Sequence, residues 1–280
     1  MLGRIIFREG LSWHVSFHED HCRNLAESFF RVFQPNAHGK DKAGNQNELR
    51  FSVYGRRNEG PCLVEIPAAN HNEITFVLNQ AKTDVALARQ MIRLSQVMAH
   101  CSASRGAILM HGALASWKGT GVLLCGASGS GKTTASKRLP SPWQSLSDDA
   151  TLLVRDKSGE YWAHPWPTWS RHLARKKSLT VSLGSPVRLH AIFFLRQSAK
   201  NGISGALPKE SIIRLMAASE QAVNLTAAIM PIAPRNRQRV DRFDLCCDLA
   251  RKLPTFHLAV SLPGKFWKLI EKAIKLQVHP

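Results

Sequence analysis

The chain has 280 residues, of which 44% are apolar and 21% charged. This length supports one large domain or two ordinary ones, and the composition excludes disordered, collagen-like and coiled-coil proteins. The net charge of +18 is uneven: residues 171–280 carry 19 basic and 6 acidic side chains, whereas residues 1–110 carry 13 and 10. An acidic partner is therefore expected to approach the last third of the chain.

Hydrophobicity and cysteine spacing indicate the compartment. No apolar segment approaches the roughly 20 residues that cross a bilayer, and the first ten residues lack the continuous apolar stretch of a signal peptide. The six cysteines include no C-x-x-C pair, so neither a disulfide framework nor a zinc ribbon is expected. We therefore predict a cytoplasmic protein with reduced thiols and no membrane span.

The first hundred residues are predicted to form a small α+β domain. Short apolar or alternating runs occur at residues 5–7, 49–53, 62–66 and 74–77, and a polar, glycine-containing stretch interrupts them at residues 36–46. Four metal-ligand side chains also lie near the start of the chain: His14, His18, His21 and Cys22. On a helix their spacing would suit metal ligation, and the alternative is an exposed polar helix face.

A helix is predicted to join this domain to the rest of the chain. Apolar residues recur at a helical period through residues 83–103, and Thr83 is suited to cap the first turn. We therefore divide the chain into an N-terminal region with its linking helix, residues 1–105, and a second domain, residues 106–280.

The second domain alternates between predicted strands and helices, which indicates an α/β fold. Strands are predicted at residues 107–115, 121–125, 151–154, 191–195 and 256–260, with a glycine turn at 118–121. Helices are predicted at residues 133–139, ended by Pro140, and at 209–222, 239–252 and 265–275.

The strongest functional signal is Gly126-Ala-Ser-Gly-Ser-Gly131-Lys132-Thr133, a complete G-x-x-x-x-G-K-[ST] sequence. Its glycines let backbone N–H groups converge on a phosphate, while Lys132 can reach the β- and γ-phosphates and the Thr133 hydroxyl can ligate Mg²⁺. It follows a predicted strand and precedes a predicted helix, as such a P-loop requires. The alternative is a glycine-rich turn that binds nothing.

Three further side chains suit phosphoryl transfer. Asp148 and Asp149 precede the predicted strand at 151–154, and His111 lies on the predicted strand before the P-loop strand. One carboxylate can bind the metal while the other accepts the proton of an attacking hydroxyl. The alternatives are an acidic turn before a strand and a packed core histidine.

The chain resembles a known family in three of its segments. The segments His111-Gly112, GVLLCGASGSGKTT and SDDATLLV occur in the order and spacing of the HPr kinase/phosphorylase superfamily, which is similar to the nucleotide-binding core of phosphoenolpyruvate carboxykinases. This resemblance covers about residues 106–260. The whole chain, with the sequence HPWPTW at residues 164–169, looks most like the ScmC family of SynChlorMet cassettes, HPr-kinase-like proteins encoded with a ribosomally made, modified peptide.

The resemblance implies an HPr-kinase/PEP-carboxykinase-like P-loop core that uses ATP and Mg²⁺ to phosphorylate a hydroxyl. The residues implied to hold the triphosphate are Gly126, Ala127, Ser128, Gly129, Ser130, Gly131, Lys132, Thr133 and Thr134. Thr133 and Asp149 are implied to contact Mg²⁺, and Asp148 to act as general base, steadied by His111. The glycine-rich signature that follows the Asp pair in the bifunctional enzymes is missing, so neither HPr as substrate nor phosphorolysis is expected.

Aromatic and basic side chains near these motifs admit two interpretations each. The tryptophans Trp162, Trp166 and Trp169 could form a platform for a peptide or an aromatic group, or could pack in the core. Two basic clusters consist of Arg171, Arg175, Lys176 and Lys177, and of Arg235, Arg237, Arg239 and Arg242. One arginine could stabilise transition-state charge, or the clusters could form a solvated face.

Two functions follow. The first is an ATP-dependent kinase whose acceptor is a serine or threonine hydroxyl of a peptide, including a ribosomally synthesised modified peptide, or a small metabolite; the acceptor is expected to be acidic. The second is a non-catalytic module that uses ATP to dock such a peptide. No nucleic-acid-binding motif accompanies the basic charge, so nucleic acid is not expected as a partner. Pairing of the arginine cluster within a homo-oligomer is the alternative to substrate attraction.

Overall fold

The fold is described from a computed structural model, which describes residues 1–7, 11–33, 48–56, 62–66, 72–167 and 186–278. The predicted loop at 36–46, Trp169 and the first basic cluster lie outside these residues. The N-terminal elements are β1 (Leu2–Ile6), β2 (Ser12–Phe17), α1 (Arg23–Phe33), β3 (Glu48–Arg56), β4 (Leu63–Glu65), β5 (Glu73–Asn79) and α2 (Asp84–Cys101).

The first sheet has five strands in the order β1-β2-β3-β5-β4. Its three central strands are parallel, and the edge strands β1 and β4 run antiparallel to their neighbours. Every second residue of β5 is buried, as the alternation of a half-buried strand requires. Four of these strands match the predicted runs, but β2 and α1 were not predicted.

The helical arrangement considered for His14, His18, His21 and Cys22, either as metal ligands or as an exposed polar face, is wrong. His14 lies on strand β2, whose alternating pattern buries Trp13, Val15 and Phe17 against the core. Cys22 lies in a short 3-10 turn, and the helix begins only at Arg23. Among the described residues no group of three or more His, Cys, Asp or Glu side chains could hold a metal ion.

Helix α2 confirms the predicted linking helix. The Thr83 side chain accepts a hydrogen bond from the Ala86 N–H at 3.1 Å, which satisfies one of the free donors of the first turn. A short 3-10 turn follows α2, and Gly106, with a φ of 79°, leads into the second sheet. The cap was predictable because it depends only on neighbouring residues.

The second sheet has nine strands: β6 (Ala107–Met110), β7 (Gly112–Trp117), β8 (Thr120–Cys125), β9 (Trp143–Ser147), β10 (Thr151–Arg155), β11 (Tyr161–Pro165), β12 (Val187–Gln197), β13 (Gly202–Gly205) and β14 (Thr255–Val260). The main path is β6-β10-β11-β12-β8-β7-β9; β14 pairs with β12 and β13. Strands β8, β12 and β14 are parallel, and the other pairs are antiparallel.

Four helices cover the two faces of this sheet: α3 (Lys132–Lys137), α4 (Pro208–Ala222), α5 (Ile232–Lys252) and α6 (Trp267–Val278). On one face Leu123 and Cys125 share a core with residues of α4 and α5. On the other, Val122 and Leu124 share a core with residues of α3 and α6. Strand β8 is therefore apolar on both sides, which explains why its sequence reads as a continuous apolar run.

The single strand predicted at 107–115 is wrong, because the chain breaks at His111 into β6 and β7. The His111 N–H donates a hydrogen bond to the Ala218 carbonyl of α4 at 3.0 Å, so it leaves the sheet at that point. Strands β9, β11 and β13 were not predicted, and α5 begins seven residues before the predicted start at residue 239.

The two sheets share a hydrophobic core. Trp13 of the first sheet packs against Trp166, which follows β11, with ring centroids 5.8 Å apart. The Trp13 indole N–H also donates to the Ser102 hydroxyl at 2.9 Å, immediately after α2. Leu109 and Leu152 of the second sheet belong to the same cluster of buried residues. The mixed α/β class is confirmed, with two mixed sheets.

All six cysteines are free thiols, as predicted. Within the described ranges, no helix is long and apolar enough to cross a membrane.

Candidate functional site

The glycine-serine loop, residues 126–131, connects the end of β8 to the start of α3. Gly129 and Gly131 have φ angles of 79° and 95°, a conformation that side-chain-bearing residues rarely adopt. A Cβ at Gly126 would overlap the Ser130 hydroxyl, so the loop closes on itself only with glycine there. Ala127, Ser128 and Gly129 at its tip are exposed, which leaves their backbone open to a ligand.

Lys132, the first residue of α3, turns its side chain back under this loop. The Nζ atom donates to the Gly126 carbonyl at 2.7 Å and to the Ala127 carbonyl at 3.1 Å, and the residue is only 6% exposed. Burial lowers the pKa of Lys132, and Cys125 and Asp149 oppose this shift. The loop thus encloses a buried amine beside a carboxylate.

The donor set fits a phosphate-bearing ligand. Ser130 Oγ is buried and has no hydrogen-bond partner among the described residues. Thr133 is half-buried and Thr134 exposed, at the first turn of α3. Because the described residues include no group of three or more His, Cys, Asp or Glu side chains that could hold a metal ion, a divalent ion here would need oxygens from the ligand and water, as Mg²⁺ at nucleotide sites does.

A cavity of about 630 Å³ lies beside the loop and reaches the end of β14. It is lined by Ser130, Gly131 and Thr134 on one side and by residues 197–199 and 260–263 on the other. Gln197 Nε2 donates to the Gly129 carbonyl at 2.7 Å, which joins the end of β12 to the loop. The volume suits a small-molecule ligand of nucleotide size.

His111 and Asp149 form a pair close to Lys132. His111 Nδ1 lies 3.4 Å from Asp149 Oδ1; the histidine side chain is 17% exposed and the aspartate side chain 53%. Burial, followed by the Lys132 ammonium, lowers the pKa of His111, while Asp149 opposes the shift. Neutral imidazole is therefore the favoured form of His111 at neutral pH.

The turn that carries Asp148 and Asp149 is fixed by hydroxyl groups on either side. Thr151 Oγ1 donates to the Gly112 carbonyl at 3.0 Å and lies 3.1 Å from Ser147 Oγ, which accepts a hydrogen bond from the Leu114 N–H. These bonds join the turn between β9 and β10 to the start of β7, directly after His111. This explains how the two motifs meet.

Three of the predicted site residues lie close to one another. The structure brings Lys132, His111 and Asp149 together below the loop formed by residues 126–131. Asp148 lies half-buried on the same turn as Asp149. The roles assigned to these residues stay predictions.

Of the two interpretations of the tryptophans, the structure favours core packing for Trp166. It is 3% exposed and packs against Trp13 and Phe33. Trp162 is partly buried, and its indole N–H donates to Asp156 Oδ2 at 2.9 Å.

The interpretation of the second arginine cluster as a solvated face is wrong for Arg242, which is 4% exposed. Arg239 forms an ion pair with Glu220 at 2.9 Å. Arg237 is exposed.

Sequence reasoning missed several residues that shape the site. Gln197 holds the loop. Arg138, which lines the larger cavity, donates to the Ser261 and Gly264 carbonyls and so fixes the segment that forms the opposite wall. Ser147 and Thr151 position the aspartate turn. No local pattern distinguishes these residues, because each acts on a distant segment.

One family matches the chain. The family described as SynChlorMet cassette protein ScmC matches residues 74–275, which include α2 and every element of the second sheet. None of the curated proteins matches the chain.

Proposed function

Since the chain belongs to the family of SynChlorMet cassette protein ScmC, we propose that it is an ATP-dependent kinase that transfers a phosphoryl group to an aliphatic hydroxyl. We also assign its second half to the HPr-kinase-like P-loop class. The observation that carries this proposal is the buried Lys132 amine, enclosed by the glycine-serine loop and adjacent to the His111–Asp149 pair. A buried cation and a positioned carboxylate are what phosphoryl transfer to an alcohol requires.

In the proposed reaction, the acceptor oxygen forms a bond to the terminal phosphorus of ATP. The bond from that phosphorus to the bridging oxygen breaks, ADP leaves, and the alcohol proton passes to a carboxylate. We assign Asp148 as the proton acceptor. Asp149, which His111 contacts, would face the metal ion. Mg²⁺, held by Thr133 and Asp149, would neutralise phosphate charge.

The larger cavity supports ATP as the donor. It begins at Ser130, Gly131 and Thr134, where the loop meets α3, and extends to Val260 and Leu262. A triphosphate on the loop would therefore direct its nucleoside into this cavity. Its lining is mixed, with Gln197, Ser198 and Ser261 beside apolar groups, which suits a base and a ribose.

Calorimetric titration with Mg-ATP tests the nucleotide site. Lys132→Ala should weaken binding by about 10- to 100-fold, because it removes charge-assisted hydrogen bonds to phosphate. Lys137→Ala is the matched control, since Lys137 is exposed on the last turn of the same helix. Equal affinity in the two variants would contradict the assignment.

Incubation with γ-labelled ATP tests the transfer itself. Candidate acceptors are serine- and threonine-containing peptides, including those encoded beside this gene, and small alcohols. A labelled acceptor supports the kinase. Tight ATP binding with no labelled product from any acceptor would instead support the alternative function, a module that docks a peptide without transferring phosphate.

A further inference from the structure

A second, smaller cavity is lined in part by the His111–Asp149 pair. Its volume is about 130 Å³, and it lies between α2, the end of α4 and the segment that follows β11. Its lining includes His111, Asp149, Trp166, Gln96, Gln221 and Ala222. It is separate from the cavity beside the glycine-serine loop, and the two have no lining residue in common.

The walls of this cavity are held in place by bonds already described and by two more. The backbone N–H of Trp166 donates to the Ala150 carbonyl at 3.2 Å, which joins the segment after β11 to the residue that follows Asp149. Gln96 Oε1 accepts a hydrogen bond from the Leu225 N–H at 3.2 Å, so the α2 side chain is anchored to the segment after α4. A cavity with fixed walls can select ligands by size.

The chemistry of the lining is divided. Trp166 and Ala222 are buried and apolar, and belong to the core shared by the two sheets. Asp149 and His111 supply polar groups at one side, and Gln96 and Gln221 supply amides from two different helices. An apolar floor with a few convergent polar groups is typical of a small-molecule site.

We propose that this cavity receives the hydroxyl-bearing group of the second substrate, and that α2 forms its selective wall. The proposal rests on the kinase function proposed above. The His111–Asp149 pair borders the cavity, and Lys132 is near enough to lower the pKa of His111. An alcohol in this cavity would therefore contact the His111–Asp149 pair, and Asp148, the proposed proton acceptor, lies on the same turn as Asp149.

Size determines the class of acceptor. A cavity of about 150 Å³ is known to hold a benzene ring, and this one is smaller, at about 130 Å³. We therefore expect it to admit the hydroxymethyl or hydroxyethyl group of serine, threonine or a small free alcohol, and to exclude the phenol of tyrosine. The shared chemistry is a short aliphatic alcohol, either free or on a peptide.

The test fills the cavity from α2. Gln96→Trp should reduce kcat/KM for a serine acceptor by about tenfold or more, because a larger side chain excludes the acceptor. Mg-ATP affinity, measured by calorimetry, should stay within about twofold of the wild-type value, which also shows that the variant is folded. Arg89→Trp is the matched control, because Arg89 is exposed on α2 and does not line the cavity.

Acceptor probes separate the two sources of the alcohol. N-acetyl-L-serinamide, glycerol and a serine-containing peptide are offered with γ-labelled ATP, and N-acetyl-L-tyrosinamide serves as the excluded probe. Label on any of the first three, with little on the tyrosine probe, supports the proposal. Equal labelling of the tyrosine probe, or unchanged transfer in Gln96→Trp, would overturn it and leave the kinase function standing.

A second readout does not depend on turnover. The indole N–H signal of Trp166, assigned from its loss in Trp166→Phe, should shift when N-acetyl-L-serinamide is added to the ¹⁵N-labelled full chain. A shift without any phosphoryl transfer would overturn the kinase function and support the cavity as the site of this group. Neither shift nor transfer would overturn both.

Discussion

Several side chains near the site are buried although they carry charge or can acquire it. Lys132 and Arg242 are buried cations, and His100 is 2% exposed, with no hydrogen-bond partner for either ring nitrogen in the described part of the chain. Such groups are costly to bury, because water no longer solvates the charged form. Stability and activity should therefore depend on pH and on substitution of these residues.

His100 predicts acid sensitivity. Burial, with Arg242 and Arg235 nearby, lowers the pKa of His100 to about 3, whereas the unfolded residue titrates near 6.5. Between these values the unfolded chain binds a proton that the folded chain does not, so stability should fall as pH decreases through this window. The free energy of unfolding, measured with urea from pH 7.5 to 4, should depend on pH in both the wild type and His100→Leu. The slope should be smaller in the variant, by the equivalent of about one bound proton. Parallel curves would contradict the assignment.

Asp148 predicts a separation of binding from chemistry. Asp148→Asn should retain Mg-ATP affinity but reduce phosphoryl transfer by about 100-fold or more, because an amide cannot accept the hydroxyl proton. Asp244→Asn is the control, since Asp244 is exposed on α5. If Asp148→Asn keeps its turnover and Asp149→Asn loses it, the proton acceptor is Asp149.

At the scale of elements, α2 connects the two sheets and forms one wall of the smaller cavity. It packs against the first-sheet core through Met91, Leu94 and Met98, and a short 3-10 turn joins its end to β6. If the first turn of α2 frayed, the contacts of this helix with the first sheet would be lost before the cavity wall moved, because Gln96 lies more than three turns from Thr83. Its cap should therefore affect stability more than activity.

The cap gives a prediction of modest size. Thr83→Ala should lower the free energy of unfolding by about 1 kcal/mol, because the Ala86 N–H loses its acceptor. Thr83→Ser keeps the hydroxyl and should stay close to the wild type. The measurement is urea unfolding at neutral pH. Equal loss in both variants would show that the methyl group, and not the hydrogen bond, carries the effect.

At the scale of the whole molecule, the basic charge of the last third divides between the two faces of the second sheet. Arg237 and Arg239 are exposed on α5, on the face that includes α4, whose last residues line the smaller cavity. Lys268 and Lys272 are exposed on α6, on the opposite face. Only the first pair is placed to attract an acidic acceptor toward the His111–Asp149 side.

Charge reversal tests this asymmetry. Replacing Arg237 and Arg239 by Glu should raise the apparent KM for an acidic acceptor at low salt, and the difference should shrink at physiological ionic strength, where exposed charges are screened beyond about 8 Å. The KM for ATP should not change. Lys268→Glu with Lys272→Glu is the matched control, because Lys268 pairs with Glu271 as Arg239 pairs with Glu220. Equal effects of the two double variants would indicate a role for net charge alone.

Local features of this fold could be predicted, and distant contacts could not. The α2 cap, the glycine turn at Lys118–Gly119 and the sequence from β8 through Lys132 depend on adjacent residues, and each was predicted. The break at His111 depends on a carbonyl in α4, more than one hundred residues later. Strand β9 is an edge strand with only Trp143 buried, so it lacks the alternation that reveals a strand.

The site likewise contains features that the sequence reveals and contacts that only the fold creates. The motif around Lys132 and the Asp148–Asp149 pair were visible in the sequence, because each is a short contiguous run. The contact of His111 with Asp149 joins residues 38 positions apart and depends on the Thr151 bond to the Gly112 carbonyl. Gln96 and Gln221 gave no signal, since a glutamine on a helix is ordinarily a surface residue.

The position of β5 within the first sheet limits how the chain can be shortened. The family match begins at residue 74, inside β5, yet both neighbours of that strand, β3 and β4, come earlier in the sequence. A chain cut there would leave the backbone donors and acceptors of β5 unpaired along both edges, and would uncover the indole face of Trp166 that Trp13 covers. Unpaired strand edges beside apolar surface recruit other chains, so such a fragment is expected to aggregate.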